Sequence, residues 1–217
     1  MGDDARMILM MDHITTATSA EKRQEVLEQF CGYTVRFSES ELPNIPAKQM
    51  LFQHPHKNHQ LIKLDHPARY PVEIVVYDSC YGCSGIDVDH KTEEIRIPTQ
   101  NMERSALFWK TLGFHSLAED ATLLVGKGAL DKGIVKIRLV GNLGDGDAFL
   151  DRYGPVAVAF VVTRQSEMLK KLAENAFFTS EIDRLLVNGK ELDIAFAASR
   201  YGDIAELTSI PVQKAGS

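Results

Sequence analysis

The sequence predicts an α+β fold in which one βαβββ module is used three times. Three observations carry that reading. A strand-like segment, an amphipathic helix and several short β-rich segments follow one another three times along the 217 residues. The spacing repeats: 19 residues separate His13 from Gly32, Glu94 from Gly113, and Ala157 from Ala176. Each endpoint is followed by an aromatic residue, namely Tyr33, Phe114 and Phe177.

The first copy opens with a strand over residues 12–18. Val26, Leu27 and Phe30 recur at helical spacing, and the helix stops at Cys31-Gly32-Tyr33. Thr18 and Glu21 have capping-box spacing, which predicts a helix start there. Strands are expected at residues 34–38, 49–53, 61–64 and 70–77, the last being rich in β-branched residues.

The second copy begins with an alternating strand at residues 94–98. Asn101 is placed to cap a helix carrying Ser105, Phe108, Trp109 and Leu112 on one face, and Gly113 suits the position just past its end. Strands follow at residues 121–125 and 134–140. The third copy has a strand at 156–162, a helix carrying Met168, Leu169 and Leu172, and strands at 184–187, 191–197 and 204–210.

A lone βαβββ sheet has one apolar face that needs cover. The expected organisation is a single module over residues 11–79, a linker over 80–92, and a two-module domain over 93–211. Gly154 and Pro155 mark the join within that domain.

Composition excludes several classes. Hydrophobic residues make up 44% and charged residues 25%, as in ordinary globular chains. Thirty acids against 24 bases give a formal charge of −6, which argues against a phosphate-binding face and so against a nucleic-acid partner. No apolar run approaches the roughly 20 residues that span a bilayer, and residues 7–11 are too short for a signal segment. Three cysteines are too few for a disulfide scaffold, so a reducing, cytoplasmic setting is expected.

The stretch Asn101-Met102-Glu103-Arg104-Ser105-Ala106-Leu107-Phe108-Trp109-Lys110-Thr111-Leu112-Gly113-Phe114 resembles the Asp-Leu-x-x-Ser-x-x-Phe-Tyr-x-x-x-Leu-Gly-Phe segment of the vicinal oxygen chelate superfamily. That superfamily includes glyoxalase I, bleomycin- and fosfomycin-resistance proteins and extradiol dioxygenases. The resemblance implies paired βαβββ modules curled into half-barrel sheets with an open cleft. It also implies metal ligands on the first and last strands of each module. A divalent ion held there, with positions left open, can chelate and polarise two adjacent substrate oxygens.

Carried onto this chain, the resemblance assigns His13 and Glu73 in copy one, Glu94 and Arg138 in copy two, and Ala157 and Glu206 in copy three. His13 and Glu73 are the expected metal ligands, for Zn, Ni, Mn or Fe. Glu94 and Glu206 are the expected ligand or acid/base residues. Arg138 would repel an ion or pair with Glu94 or Glu206, and Ala157 cannot ligate. If copies two and three share the cleft, its site is degenerate. Copy one then packs on that domain or pairs with copy one of a second chain. A homodimer of that kind would assemble a two-His, two-Glu set.

Other motifs read more plainly. His54, His56 and His59, with His66 beyond, suggest a polar hairpin loop, a metal or substrate role or, in a cleft, a general base. Cys80-Tyr81-Gly82-Cys83, with Asp87, Asp89 and His90 after it, lacks the second pair of a structural zinc site. The glycine- and acid-rich stretch 141–147 reads as a flexible connection. The aromatic set Phe108, Trp109, Phe114, Phe160, Phe177, Phe178 and Phe196 falls mostly on core faces. Two function classes follow, both with a small-molecule ligand. One is a metal-dependent lyase, isomerase or dioxygenase acting on a small oxygenated organic molecule. The other is a metal-free binding or drug-sequestering protein using the same cleft.

Overall fold

The computed structural model describes residues 7–89, 92–127, 133–141 and 148–211. His90 and residues 142–147 of the glycine-rich stretch lie outside them.

Module one comprises β1 (Ile8–Ser19), α1 (Arg23–Gln29), β2 (Thr34–Pro43), α2 (Pro46–Gln49), β3 (Asn58–Asp65) and β4 (Val72–Tyr77). A short strand β5 (Asp87–Asp89) precedes module two. That module comprises β6 (Glu94–Thr99), α3 (Met102–Thr111), β7 (His115–Leu117), β8 (Asp120–Lys127) and β9 (Ile134–Gly141). Module three comprises β10 (Gly154–Val162), α4 (Gln165–Glu174), β11 (Phe178–Thr179), β12 (Asp183–Val187), β13 (Lys190–Ala198) and β14 (Ile204–Ser209).

The repeat holds at the level of hydrogen-bond register. In every module the first strand pairs in parallel with the last: β1 with β4, β6 with β9, β10 with β14. Thr15 faces Glu73, Arg96 faces Arg138, and Ala159 faces Glu206. His13, Glu94 and Ala157 each lie two residues before those partners, so the three occupy one topological place. The helix-to-strand turn repeats as well. Gly32, Gly113 and Ala176 all take positive φ, at 88°, 96° and 58°. The first two are the glycines that this conformation favours; the third is a strained alanine.

The grouping of modules differs from expectation. One nine-stranded sheet, in the order β11-β13-β14-β10-β1-β4-β3-β2 with β12 on β13, joins module one to module three through the antiparallel β1–β10 pair. Module two forms its own five-stranded sheet, β5-β6-β9-β8-β7. The physical reason is the edge of β6. The segment expected to be only a linker supplies β5, which covers that edge through Asp87–Arg96 and Asp89–Glu94 pairing. Module two therefore has no free first strand to offer, and modules two and three do not share a cleft. Nor does β1 have a free edge for a second copy of module one, because β10 already occupies it.

Module two is held by side chains instead. Its Ile95, Phe108, Trp109 and Phe114 enter one core with Met11, Ile14, Phe160 and Leu172 of the other modules. Edge-to-face contacts run from Phe177 to Phe108, to Trp109 and on to Phe114, which meets Phe160. The fully buried Asp203 carboxylate, in the turn before β14, fastens α3 to module three. It accepts hydrogen bonds from Ser105 Oγ at 2.6 Å, from Trp109 Nε1 at 2.8 Å and from Ser199 Oγ.

Most elements match expectation, and Asn101 Oδ1 caps α3 by accepting from the Arg104 amide at 3.0 Å. Two do not match. The strand expected at 49–53 is the end of α2 and a turn. The capping box fails, since α1 starts at Arg23 after Lys22, with no side-chain cap.

Candidate metal centre

The curled nine-stranded sheet positions the site. Its two ends meet: the Asn188 amide in the β12–β13 turn donates to Glu39 on β2 at 2.9 Å, and the Ala47 amide donates to Asp183 at 2.8 Å. The β2–β3 connection folds into the concave side, where Ile45, Ala47, Leu51 and Phe52 pack on Val75, Tyr77 and Phe196. What remains open is a cavity of about 190 Å³ lined by His13, Lys48, Lys63, Glu73 and Glu206 among others.

A β-bulge aims the first ligand. Between Met11 and His13 the register on β10 shifts, with Asp12 as the extra residue. Met11 thereby enters the core shared with module two, while His13 faces the cavity. Period-two alternation does the rest: Glu73 lies on the same face of β4 as the concave-core residues Val75 and Tyr77, and Glu206 on that of Ile204.

His13, Glu73 and Glu206, all buried, bring one ligand atom each to within 4.8 Å of one another. Among the described residues no other group of three or more histidine, cysteine or acidic side chains comes together in this way. His13 Nδ1 lies 2.7 Å from Asp12 Oδ2; burial disfavours charge on the imidazole, but Glu73 and Asp12 outweigh it and raise the group to about 9. His13 Nε2 is buried with no hydrogen-bond partner, and Glu73 Oε1 is 3.5 Å from it. An orphaned imidazole nitrogen beside two convergent carboxylates fits a divalent ion. Ala157 leaves the fourth position of the set without a ligand.

Four cations line the cavity, the exposed Arg36 and Lys190 and the buried Lys48 and Lys63. Lys63 on β3 lies 2.9 Å from Asp12 Oδ2, 2.5 Å from His13 Nδ1 and 3.9 Å from Glu73 Oε2, on the side of the imidazole away from Nε2. Lys48 on α2 lies 3.5 Å from His59 Nε2. Burial, helped by Lys48, pushes the His59 imidazole down to about 2, so it stands neutral and accepts from the lysine. Burial disfavours charge on Glu73, but His13 and Lys63 outweigh it and bring the carboxyl down to about 2. Burial and the neighbouring Glu73 charge push Glu206 the other way, above the usual carboxylate range.

Glu94 is not part of this centre. It lies on module two, where Arg138 grips it with Nε–Oε2 at 2.6 Å and Nη2–Oε1 at 3.0 Å and also reaches Asp120 at 2.7 Å. The carboxylate is spent in a bidentate ion pair, which corrects its expected place among the site acids. Glu206 is brought to His13 and Glu73 because module three, not module two, is the partner of module one.

The histidine run divides. His54 is exposed, while His56 is buried, stacked on Tyr77 and 3.4 Å from the buried Asp151. The Asp151 carboxylate also accepts from the Gln53 and His54 amides, so this corner is a structural clasp. Cys80 and Cys83 are free thiols, and burial pushes that of Cys80 up to about 12, far from a reactive thiolate. Sequence reasoning missed Asp12, Lys48 and Lys63. Lys63 carried a signal, being a lone cation in the apolar run Leu61-Ile62-Lys63-Leu64. Lys48 carried none, because residues 49–53 read as a strand.

Paired βαβββ modules in one curled sheet, with the candidate ligands on first and last strands, give the chain the fold of the vicinal oxygen chelate superfamily. No protein-family model matches the sequence, and no curated protein matches it significantly. Solved structures similar to it include methylmalonyl-CoA epimerase from Mycobacterium tuberculosis, at 11% identity and TM-score 0.45, covering 98% of this chain and 94% of that one. A glyoxalase I variant from Zea mays is 15% identical with TM-score 0.38, covering 94% of this chain and 68% of that one. A Bacillus subtilis protein provisionally described as a dioxygenase is 11% identical with TM-score 0.38, and the match spans 95% of this chain but only 65% of that one. Among the described residues no helix is long and apolar enough to cross a membrane.

Proposed function

We propose that the chain is a divalent-metal-dependent enzyme of the vicinal oxygen chelate kind, acting on a small oxygenated molecule by proton transfer, as an isomerase or lyase. The single observation that carries this is the convergence of His13 Nε2, Glu73 and Glu206 in one buried cavity. A bound divalent ion would supply Lewis-acid polarisation of two adjacent substrate oxygens.

The chain's own residues do the remainder. Asp12 holds the His13 ring through Nδ1. Lys63 balances the charge of Asp12 and Glu73. Glu206 has the higher proton affinity of the two glutamates and is the group suited to take a proton from the substrate. One imidazole with two carboxylates departs from the two-His, one-carboxylate pattern of non-haem iron oxygenases, which favours isomerase or lyase chemistry over dioxygenation. A cavity of about 190 Å³ is below the roughly 300–1,000 Å³ of drug-sized sites, which favours a small substrate over drug sequestration.

Elemental analysis of untagged protein after loading with Zn²⁺ or Mn²⁺ and desalting tests the reading. About one ion per chain is expected, with loss in the His13→Ala, Glu73→Ala double variant. Unchanged metal content in that variant would reject it.

A further inference from the structure

Module one packs its helix less closely than the other modules do. The α3 helix buries Phe108 and Trp109, and α4 buries Met168, Leu169 and Leu172, whereas α1 buries no residue. The space left beside α1 is a cavity of about 410 Å³, against about 190 Å³ at the candidate metal centre. That volume falls within the roughly 300–1,000 Å³ of small-molecule sites.

The cavity lies on the opposite face of β1 and β4 from His13 and Glu73. Ile14 pairs with Val72 and Thr16 with Ile74, while Thr15 pairs with Glu73, and side chains alternate between the two faces. Val26 and Phe30 of α1 form one wall, Ile14 and Val72 of the sheet another, and Val88 of β5 brings module two to it. Burial divides the lining. Ile14, Thr16, Tyr70 and Val72 are buried, while Lys22, Glu25 and Asp87 are exposed. Charges of both signs therefore stand at the mouth, and the buried part of the lining carries none. Lys22 Nζ itself lies over the Tyr153 ring, 4.4 Å from its centroid.

Thr16 is the polar exception in this buried lining. It is 4% exposed, and its Oγ1 has no hydrogen-bond partner among the described residues. A buried hydroxyl without a partner is unfavourable, and an N–H or O–H arriving in the cavity would supply one. The uncharged lining disfavours an ionised occupant, and the rings of Phe30, Tyr70 and Tyr153 suit a flat one.

We propose that this cavity binds a small uncharged aromatic molecule whose hydroxyl or N–H group donates to Thr16 Oγ1. The site is separate from the metal centre and does not depend on it.

Titration with indole and with indene, followed by amide NMR signals, tests the proposal. The two probes share an outline and differ by N–H against CH₂. In the unaltered protein indole is expected to shift the amides of Ile14, Thr16 and Val72. The ratio of indole to indene affinity is expected to be about fivefold higher in the unaltered protein than in Thr16→Val, the worth of one hydrogen bond. Val26→Trp fills the cavity from the half-buried face of α1 and is expected to abolish binding of both probes. No shift at those amides, or shifts only elsewhere, overturns the site even if neither variant folds. An affinity ratio unchanged in Thr16→Val overturns the role of the hydroxyl, and binding that survives in Val26→Trp overturns the location. A dimer in sedimentation that indole dissociates would make the cavity an interface between copies and overturn the small-molecule assignment.

Discussion

Glu206 of module three and His13 of module one place ligand atoms within 4.8 Å of each other, although 193 residues of sequence separate them. Only the β1–β10 pairing makes this so. It sets two equivalent first strands side by side, each flanked by its own last strand, and the glutamates of those last strands then face one cavity.

Glu94 occupies in module two the place that His13 occupies in module one, yet it lies in the other sheet. Glu94→Gln is therefore expected to leave metal content unchanged in elemental analysis. Its effect is on stability, about 1 kcal/mol or less at pH 7, because Arg138 is partly exposed to solvent. Arg138 holds the Glu94 carboxyl below the usual range. The stabilisation is thus present above the unfolded carboxyl pKa, near 4.5, and is lost as pH falls through the lower folded value. Denaturant midpoints of variant and unaltered protein should converge in acid.

Asp203 ties α3 to module three through two side-chain donors, Ser105 and Trp109, and accepts a third hydrogen bond from Ser199 within its own module. Asp203→Ala leaves Ser105, Ser199 and the Trp109 indole without their acceptor in a buried setting. A loss of about 3–5 kcal/mol is expected, as when a buried hydrogen-bonded charge is removed. Trp109 is the chain's single tryptophan. Its emission should shift on substitution, and urea unfolding followed by that emission checks both effects.

Ala176 stands at φ 58°, where modules one and two have glycine. Left-handed backbone costs an L-residue roughly 1–2 kcal/mol, part of which glycine returns as unfolded-state entropy. Ala176→Gly is expected to raise stability by about 0.5–1 kcal/mol, read as a higher thermal midpoint. An unchanged or lower midpoint would mean that the turn is not strained.

Much of this was legible in the sequence because it is local. Strand and helix periods, the Asn101 cap and the 19-residue repeat follow from spacing, while His13, Glu73 and Glu206 were marked only by what the superfamily resemblance implies for first and last strands. The pairing of modules was not legible. It turns on whether the first strand of a module has a free edge, and three residues of β5, within a stretch that reads as a linker, decide that for module two. The cavity cations were illegible for a related reason. Lys48 reaches the site only because the β2–β3 connection turns inward as α2 instead of extending as a strand. The fate of Glu94 lay between, since Arg138 was visible as a partner but its choice between Glu94 and Glu206 depended on the module pairing.

The central claim is that one chain holds one ion through His13, Glu73 and Glu206. X-ray absorption at the zinc edge of zinc-loaded protein tests it most directly, with Glu206→Gln alongside. The account predicts one imidazole, a remaining shell of oxygen, no sulfur, and loss of bound zinc in the variant. Sulfur ligation, two or more imidazoles, or full zinc occupancy in Glu206→Gln would contradict it.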